Sequence, residues 1–294
     1  MADPVAALDA RFPGKRVVVT GAASGLGLEL CRRFAAHGWT IGMLDLQAAT
    51  LAQAEQAIAA CGGTPHAAQV DVSDGATLSD AVAAFVAATG GVDVMVNNAG
   101  VAVGGDFADT PAEHWRWILG INVLGVVHGC QAALPAMRAA GAGILLNVAS
   151  AAGFASAPGM SAYNASKAAV VSLSETLYGE LFGTGIQVSV AMPYFFKTNL
   201  LDRLRASEAG RRDAELMMES TSYTLERAAS DVLGGVARGR LYVLAPPRLR
   251  ALWLLKRLAP MRYLRLVPRV RERRLADLRR SLEARSGVAR TPPA

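Results

Sequence analysis

Along the first 245 residues, short aliphatic runs alternate with longer stretches whose apolar positions recur at three and four residues. Runs at 16–20, 40–45, 92–97, 144–150, 186–192 and 240–244 are rich in Val, Ile, Leu and Met, as strands buried on both faces are. Stretches at 26–34, 160–181 and 224–237 read as helices, and 196–221 as a variable helical region. A third strand is expected just before Asp71. This alternation predicts an α/β protein, a single doubly wound domain with a seven-stranded parallel sheet flanked by helices. Its ligand crevice would lie at the strand carboxyl ends. No linker rich in Pro, Gly or Ser and no internal repeat interrupts residues 1–247, which are expected to form one domain. Residues 248–294 are expected to form a helical extension.

The first strand runs into Gly21, Gly25 and Gly27 and then into a helix. A strand, a glycine turn and a helix start aim backbone N–H groups and the positive helix end at a pyrophosphate. Ser24 and Leu26 lie within this loop. The spacing is G-x-x-x-G-x-G, not G-x-G-x-x-G, and no Lys-Ser/Thr follows as in an NTPase loop. Asp45 ends the second strand, eighteen residues after Gly27. A carboxylate there accepts both ribose hydroxyls and repels a 2′-phosphate. Leu46, Ala22 and Ala23 bring no cation to offset that repulsion, so NAD is expected over NADP.

Tyr163 and Lys167 stand four residues apart, on one face of a helix. A free phenol has a pKa of about 10, too high for a base at neutral pH. A neighbouring ammonium stabilises the phenolate and lowers that value.

With these motifs in order, the chain resembles the short-chain dehydrogenase/reductase family from about residue 15 to 247. The glycine loop matches at Gly21, Gly25 and Gly27, and Asp71-Val72 is similar to the family's adenine-contacting pair. Asn97-Asn98-Ala99-Gly100 closes the fourth strand, Asn122 falls in the next helix, and Ser150 closes the fifth strand. The resemblance implies a Rossmann-type fold and catalytic residues Asn122, Ser150, Tyr163 and Lys167. Tyr163 would act as general base in oxidation and general acid in reduction. Lys167 would lower its pKa and hold the nicotinamide ribose, Ser150 would bind the substrate oxygen, and Asn122 would anchor a water reaching Lys167. Pro193 and Thr198 match the family's cofactor contacts, but Tyr194 stands where the family has glycine.

Residues flanking these motifs are apolar: Val101, Val103, Phe154, Tyr194, Phe195, Met217 and Met218. A hydrophobic secondary alcohol or ketone is therefore the expected substrate, with Ser150, Phe154, Tyr163 and Tyr194 forming its wall. Two rivals remain: an NADP-dependent carbonyl reductase, and a nucleotide-binding partner protein without turnover. A homodimer or homotetramer is expected from the family. Cys31, Cys61 and Cys130 are odd in number and far apart, which fits a reducing, cytoplasmic setting and no metal site. The four histidines form no ligand pattern. The chain opens with no secretory signal, and no uninterrupted apolar run reaches the length of a spanning helix.

Charge divides the chain. Residues 1–240 carry 16 Lys/Arg against 21 Asp/Glu, whereas residues 241–294 carry 14 against 3. The overall +6 hides an acidic body and a tail of +11. The tail holds Leu252–Leu255, a break at Pro260, and arginine-rich helical sequence with a seam at Leu275, Leu278 and Leu282. Three readings stand: an anchor on an anionic membrane, packing on a sister subunit or over the chain's own pocket, or a solvated helix with a disordered end from 286. Nucleic-acid binding is not expected, because no reading module and few stacking aromatics are present. The motif residues all precede 199, so the tail is expected to be separate from the catalytic machinery.

Overall fold

The computed structural model describes residues 3–196 and 198–286. Helix α1 (Pro4–Arg11) precedes β1 (Arg16–Thr20), α2 (Gly25–Ala35), β2 (Thr40–Asp45), α3 (Ala48–Ala60) and β3 (Thr64–Gln69). Then come α4 (Gly75–Thr89), β4 (Val94–Asn97), α5 (Ala112–Leu119), a π-helical turn (Gly120–Leu124), α6 (Gly125–Ala140) and β5 (Gly143–Val148). The second half holds α7 (Ala152–Ala155), α8 (Ser161–Glu180), β6 (Ile186–Pro193), a 3-10 turn (Asn199–Arg203), α9 (Glu208–Glu219) and α10 (Leu225–Ala237). β7 (Tyr242–Ala245), α11 (Leu249–Leu258) and α12 (Pro260–Ser286) complete the described chain.

All seven strands pair in parallel, in the order β3-β2-β1-β4-β5-β6-β7. The order reverses between β1 and β4, and a crevice opens there at the carboxyl ends. Val17, Val18, Val19, Ile144, Leu145 and Leu146 are buried on alternate faces of the sheet. That double burial is why these strands are uninterrupted aliphatic runs. At the opposite strand ends, Arg16 grips Asp93 with Nε and Nη2 at 3.0 and 2.8 Å, tying β1 to the entry of β4.

Helices cover both faces. On one side α1, α2 and α10 bury Leu8, Leu30, Phe34, Trp39 and Val232; on the other, α4, α6 and α8 bury Leu78, Val82, Met137 and Val170. The continuous helix Ala112–Ala140 is long and apolar enough to cross a membrane by length and composition. In this fold it packs along β4 and α4 and turns α5 toward α8. Buried Asn97, Asn147 and Ser174 join β4, β5 and α8, with bonds of 2.9 and 3.0 Å.

Candidate active site

The crevice is a cavity of about 790 Å³ whose floor is the row of strand ends. At one end, Gly21 and Gly25 adopt φ of 63° and 52°, where a side chain is strained. A Cβ on Gly25 would meet Thr198 Oγ1 at 2.8 Å, and one on Gly27 would meet the Gly21 carbonyl at 2.1 Å. Glycine therefore lets the loop fold tightly against the start of α2. Asn98 Nδ2 donates to the Thr20 and Gly21 carbonyls, and the Thr20 hydroxyl accepts from the Asn98 and Ala99 amides. Ser24 caps α2 without a side-chain hydrogen bond, so its first amides remain open toward the cavity.

Gly21, Ser24, Gly25, Leu26, Asp45, Leu46, Asp71, Val72, Asn98, Ala99 and Gly100 all line this end. Gly27 does not; it packs beneath the loop. Asp45 Oδ2 accepts from the Ala23 amide at 3.0 Å and Oδ1 from the Gln47 amide, so this carboxylate also holds the loop. The cradle, the open helix start and the acidic strand end suit a dinucleotide.

One cation of the variable region, able by its charge to hold a carboxylate or phosphate, stands here, a position that the sequence does not reveal. Arg203, in the 3-10 turn, lines the cavity beside Gln47. With the Gln47 amide turned to face it, the side-chain oxygen accepts from Arg203 Nε at 3.1 Å. Nothing in the local sequence ties residue 203 to residue 47.

Midway along the cavity stand Ser150, Tyr163 and Lys167, with Pro193 and Thr198 nearby. Ser150 follows β5 by two residues; its hydroxyl accepts from the Ala152 amide at 3.1 Å. Tyr163 and Lys167 lie on one face of α8 and are 7 and 4 % exposed. Lys167 Nζ donates to the Val148 carbonyl at 3.0 Å and lies 5.9 Å from the Tyr163 ring centre. Burial pushes the Tyr163 phenol above its ordinary value, and its hydrogen bond with Ser150 pulls it partly back. Burial also lowers Lys167 to about 8. In this arrangement burial, not Lys167, sets the direction of the phenol's shift.

Asn122 is fully buried behind the cavity wall, in the π-helical turn. Its Oδ1 accepts from the Val101 amide at 2.8 Å, and its Nδ2 donates to the Val101 carbonyl and to Ser166 Oγ. Ser166 in turn donates to the Tyr163 carbonyl at 2.8 Å. The Asn122 side chain thus fixes α8 to the loop after β4, and its amide is fully engaged by protein groups.

The far wall differs from expectation. Phe154 and Val103 turn into the apolar core and do not line the cavity. Phe154 sits in the short α7, which packs against α8 and α11, and Ala151, Ala152 and Ala155 around it line the cavity instead. Val101, Tyr194, Phe195, Met217 and Met218 do line it. Tyr194 carries no backbone strain, because Lys15 and Ser156 are the positive-φ non-glycine residues described. Its ring stands edge-on to Phe195 at 5.2 Å.

The rest of that wall comes from the tail. Leu252, Tyr263, Val267, Val270, Arg271 and Arg274 line the cavity. Tyr263 is fully buried and donates to the Ala155 carbonyl at 3.0 Å. Arg271 and Arg279 both reach Asp213 on α9, and Arg274 reaches Ser220. The expectation that the tail is separate from the catalytic machinery is thus corrected: among its readings, packing over the chain's own pocket is what the fold contains. Leu275 is buried, while the Leu282 side chain and residues 287–294 lie outside the described residues. Lys197 also lies outside them.

A dinucleotide-type crevice with a buried Tyr–Lys pair beside it defines the class as a Rossmann-type oxidoreductase fold. The short chain dehydrogenase family matches residues 15–209, and the chain belongs to that family. It is 37% identical to 2-(R)-hydroxypropyl-CoM dehydrogenase of Xanthobacter autotrophicus, over 62% of this chain and 74% of that protein. It is 32% identical to the 2-dehydro-3-deoxy-L-rhamnonate dehydrogenase (NAD(+)) of a Sphingomonas strain, over 74% and 87%. A 34% match to the probable oxidoreductase EphD of Mycobacterium tuberculosis covers 85% of this chain but 44% of that protein. This chain thus spans less than half of EphD. A Burkholderia phymatum short chain dehydrogenase/reductase solved with NAD superposes with a TM-score of 0.79 at 32% identity, over 83% and 92%.

Proposed function

We propose that this protein interconverts hydrophobic secondary alcohols and ketones with NAD(H), using Tyr163 as general acid/base. The observation that carries this reading is one cavity in which Ser150, Tyr163 and Lys167 face an apolar wall while a glycine cradle lies at its end. Bound there, a nicotinamide supplies hydride transfer. The chain's own residues supply the rest. Ser150 Oγ holds the substrate oxygen, and Tyr163 Oη gives it a proton in reduction or removes one in oxidation. A phenol raised by burial is protonated at neutral pH, which suits the donating role. Lys167 holds the ribose beside it, and Asn122 keeps α8 in register with the loop that carries Gly100 and Val101.

Asp45 supports NAD, as does the cofactor named for the Sphingomonas relative and for the Burkholderia structure. Arg203 beside Gln47 supports a second reading, in which the same pocket admits NADP through a guanidinium that offsets Asp45. Following nicotinamide absorbance with apolar ketones and secondary alcohols decides between them. The first reading expects turnover with NADH and Asp45→Ala relaxing that preference. Wild-type preference for NADPH, lost in Arg203→Ala, would establish the second.

A further inference from the structure

The outer surface of the C-terminal strap (α11 and α12) is not covered by any described residue. On α11, Ala251, Leu254, Leu255 and Leu258 fall at i, i+3, i+4 and i+7, hence on one face, and all are exposed. Leu258 is 83 % and the following Met261 60 % exposed. On α12, Arg262, Arg265, Arg269 and Arg273 fall at i, i+3, i+7 and i+11, again one face. All four are exposed and form no ion pair with any described residue. Like charges four apart repel, so this row weakens its own helix unless an anion lies opposite.

The two faces of α12 do different things. Its inner face carries Tyr263 and Val267 into the cavity. Leu266 and Val270 line the cavity as well, yet are 45 and 52 % exposed, so they form its lip beside the arginine row. The mouth of the cavity therefore opens beside a row of cations unpaired among the described residues, on the helix that follows the leucine stripe.

We propose that the strap lies in the plane of an anionic phospholipid surface and holds the cavity mouth against it, so that substrate enters from the lipid. The leucine stripe enters the boundary between headgroups and acyl chains, and the arginines meet the phosphates. Charge selects this occupant. A second copy would press one +11 segment against another, and a polyanion without an apolar phase would leave the leucine stripe in water. The acidic body, at −5, faces away from such a surface by repulsion. The entry route rests on the apolar-substrate reading above; the anchoring does not.

Sedimentation of the full chain with phosphatidylcholine vesicles, with and without phosphatidylglycerol, tests the anchoring with no substrate present. Binding to the anionic vesicles is expected, weakened by added salt. The fourfold variant R262Q/R265Q/R269Q/R273Q should lower partitioning at least about a hundredfold, at roughly fivefold per arginine. L255S/L258S should lower it as well, with turnover of a water-soluble alcohol unchanged in both variants. Wild-type protein that stays in the supernatant would overturn the proposal, as would equal binding by the arginine variant. Light scattering that shows a dimer dispersed by L255S/L258S would assign the face to self-association and overturn it too. Entry from lipid predicts that anionic vesicles loaded with an apolar alcohol give faster turnover in wild type than in the arginine variant. If both sediment as expected but turnover is equal, anchoring stands and lipid entry fails.

Discussion

The cavity is bounded by strand ends on one side and by a helical strap on the other, and the two are held by different forces. Pro193 ends β6, and Asn98 and Ser150 follow β4 and β5 by one and two residues, so all three are held by one continuous parallel ladder. The strap is fastened by separate side chains: Lys256 to Ser156 at 2.9 Å, Tyr263 to Ala155, and Arg271 and Arg279 to Asp213. Each is a local contact that can change without disturbing the sheet. The difference teaches where chemistry and selectivity reside. On the proposed reading, the rigid wall and the helix α8 packed against it would carry the groups that move a proton, and the adjustable wall would carry those that choose a substrate.

The largest expected effect falls on α8, the helix packed against that rigid wall. Tyr163→Phe keeps the ring and removes the transferable proton, so kcat should fall at least about 100-fold. Cofactor affinity, measured by fluorescence titration, should stay unchanged. Retained turnover would break the division of labour at its root.

Lys167 gives a readout of stability. Burial holds its ammonium to about 8 against the ordinary 10.5. Between those values the unfolded chain binds more protons than the folded one, so stability rises with pH across that window. Below about pH 8 the buried charge carries its full cost of about 3 kcal/mol, and above about 10.5 it carries none. Urea midpoints for wild type, compared with Lys167→Met, should therefore rise from pH 8 to 10. Parallel profiles would mean that Lys167 is solvated in the cofactor-free protein.

A small effect far from both walls serves as a control. His37 bridges Asp9 and Asp3, at 2.7 and 3.0 Å, at the start of the chain. Burial opposes its protonation, but the hydrogen bonds and charges of Asp9 and Asp3 raise its pKa overall. Its contribution is then full below the ordinary value of about 6.5 and fades as pH rises through the folded one. His37→Gln should cost under about 1 kcal/mol at pH 6 and less at pH 9, because the pairs are partly exposed. Neither kcat nor KM should move.

These two walls also differ in how far the sequence alone reveals them. The strand runs, the glycine loop, Asp45, Ser150 and the Tyr163–Lys167 spacing are local patterns whose geometry follows from a strand ending or a helical turn. Helix α1 escaped notice because eight residues bury just Val5 and Leu8 and leave little periodic signal. Phe154 and Val103 were misplaced because an apolar residue near a motif can turn to core or cavity, and sequence distance does not say which. Arg203 meets Gln47 through a fold contact between distant segments. In the strap, Tyr263, Val267, Val270 and Arg274 recur at four, three and four residues. That marks a face, but nothing local states what the face covers, and the surrounding arginines pointed outward.

A homologous series of 2-alkanols tests the two-wall account most directly. For wild type, kcat/KM should rise about fourfold for each added methylene, the worth of one buried CH₂ at about 0.8 kcal/mol, until the cavity is full. The variant Val267→Ser/Val270→Ser makes the strap wall polar without removing a large side chain. The account predicts a flattened slope in that variant, with cofactor affinity and the rate for the shortest alcohol unchanged. An unaltered slope, or a loss of cofactor binding, would contradict it.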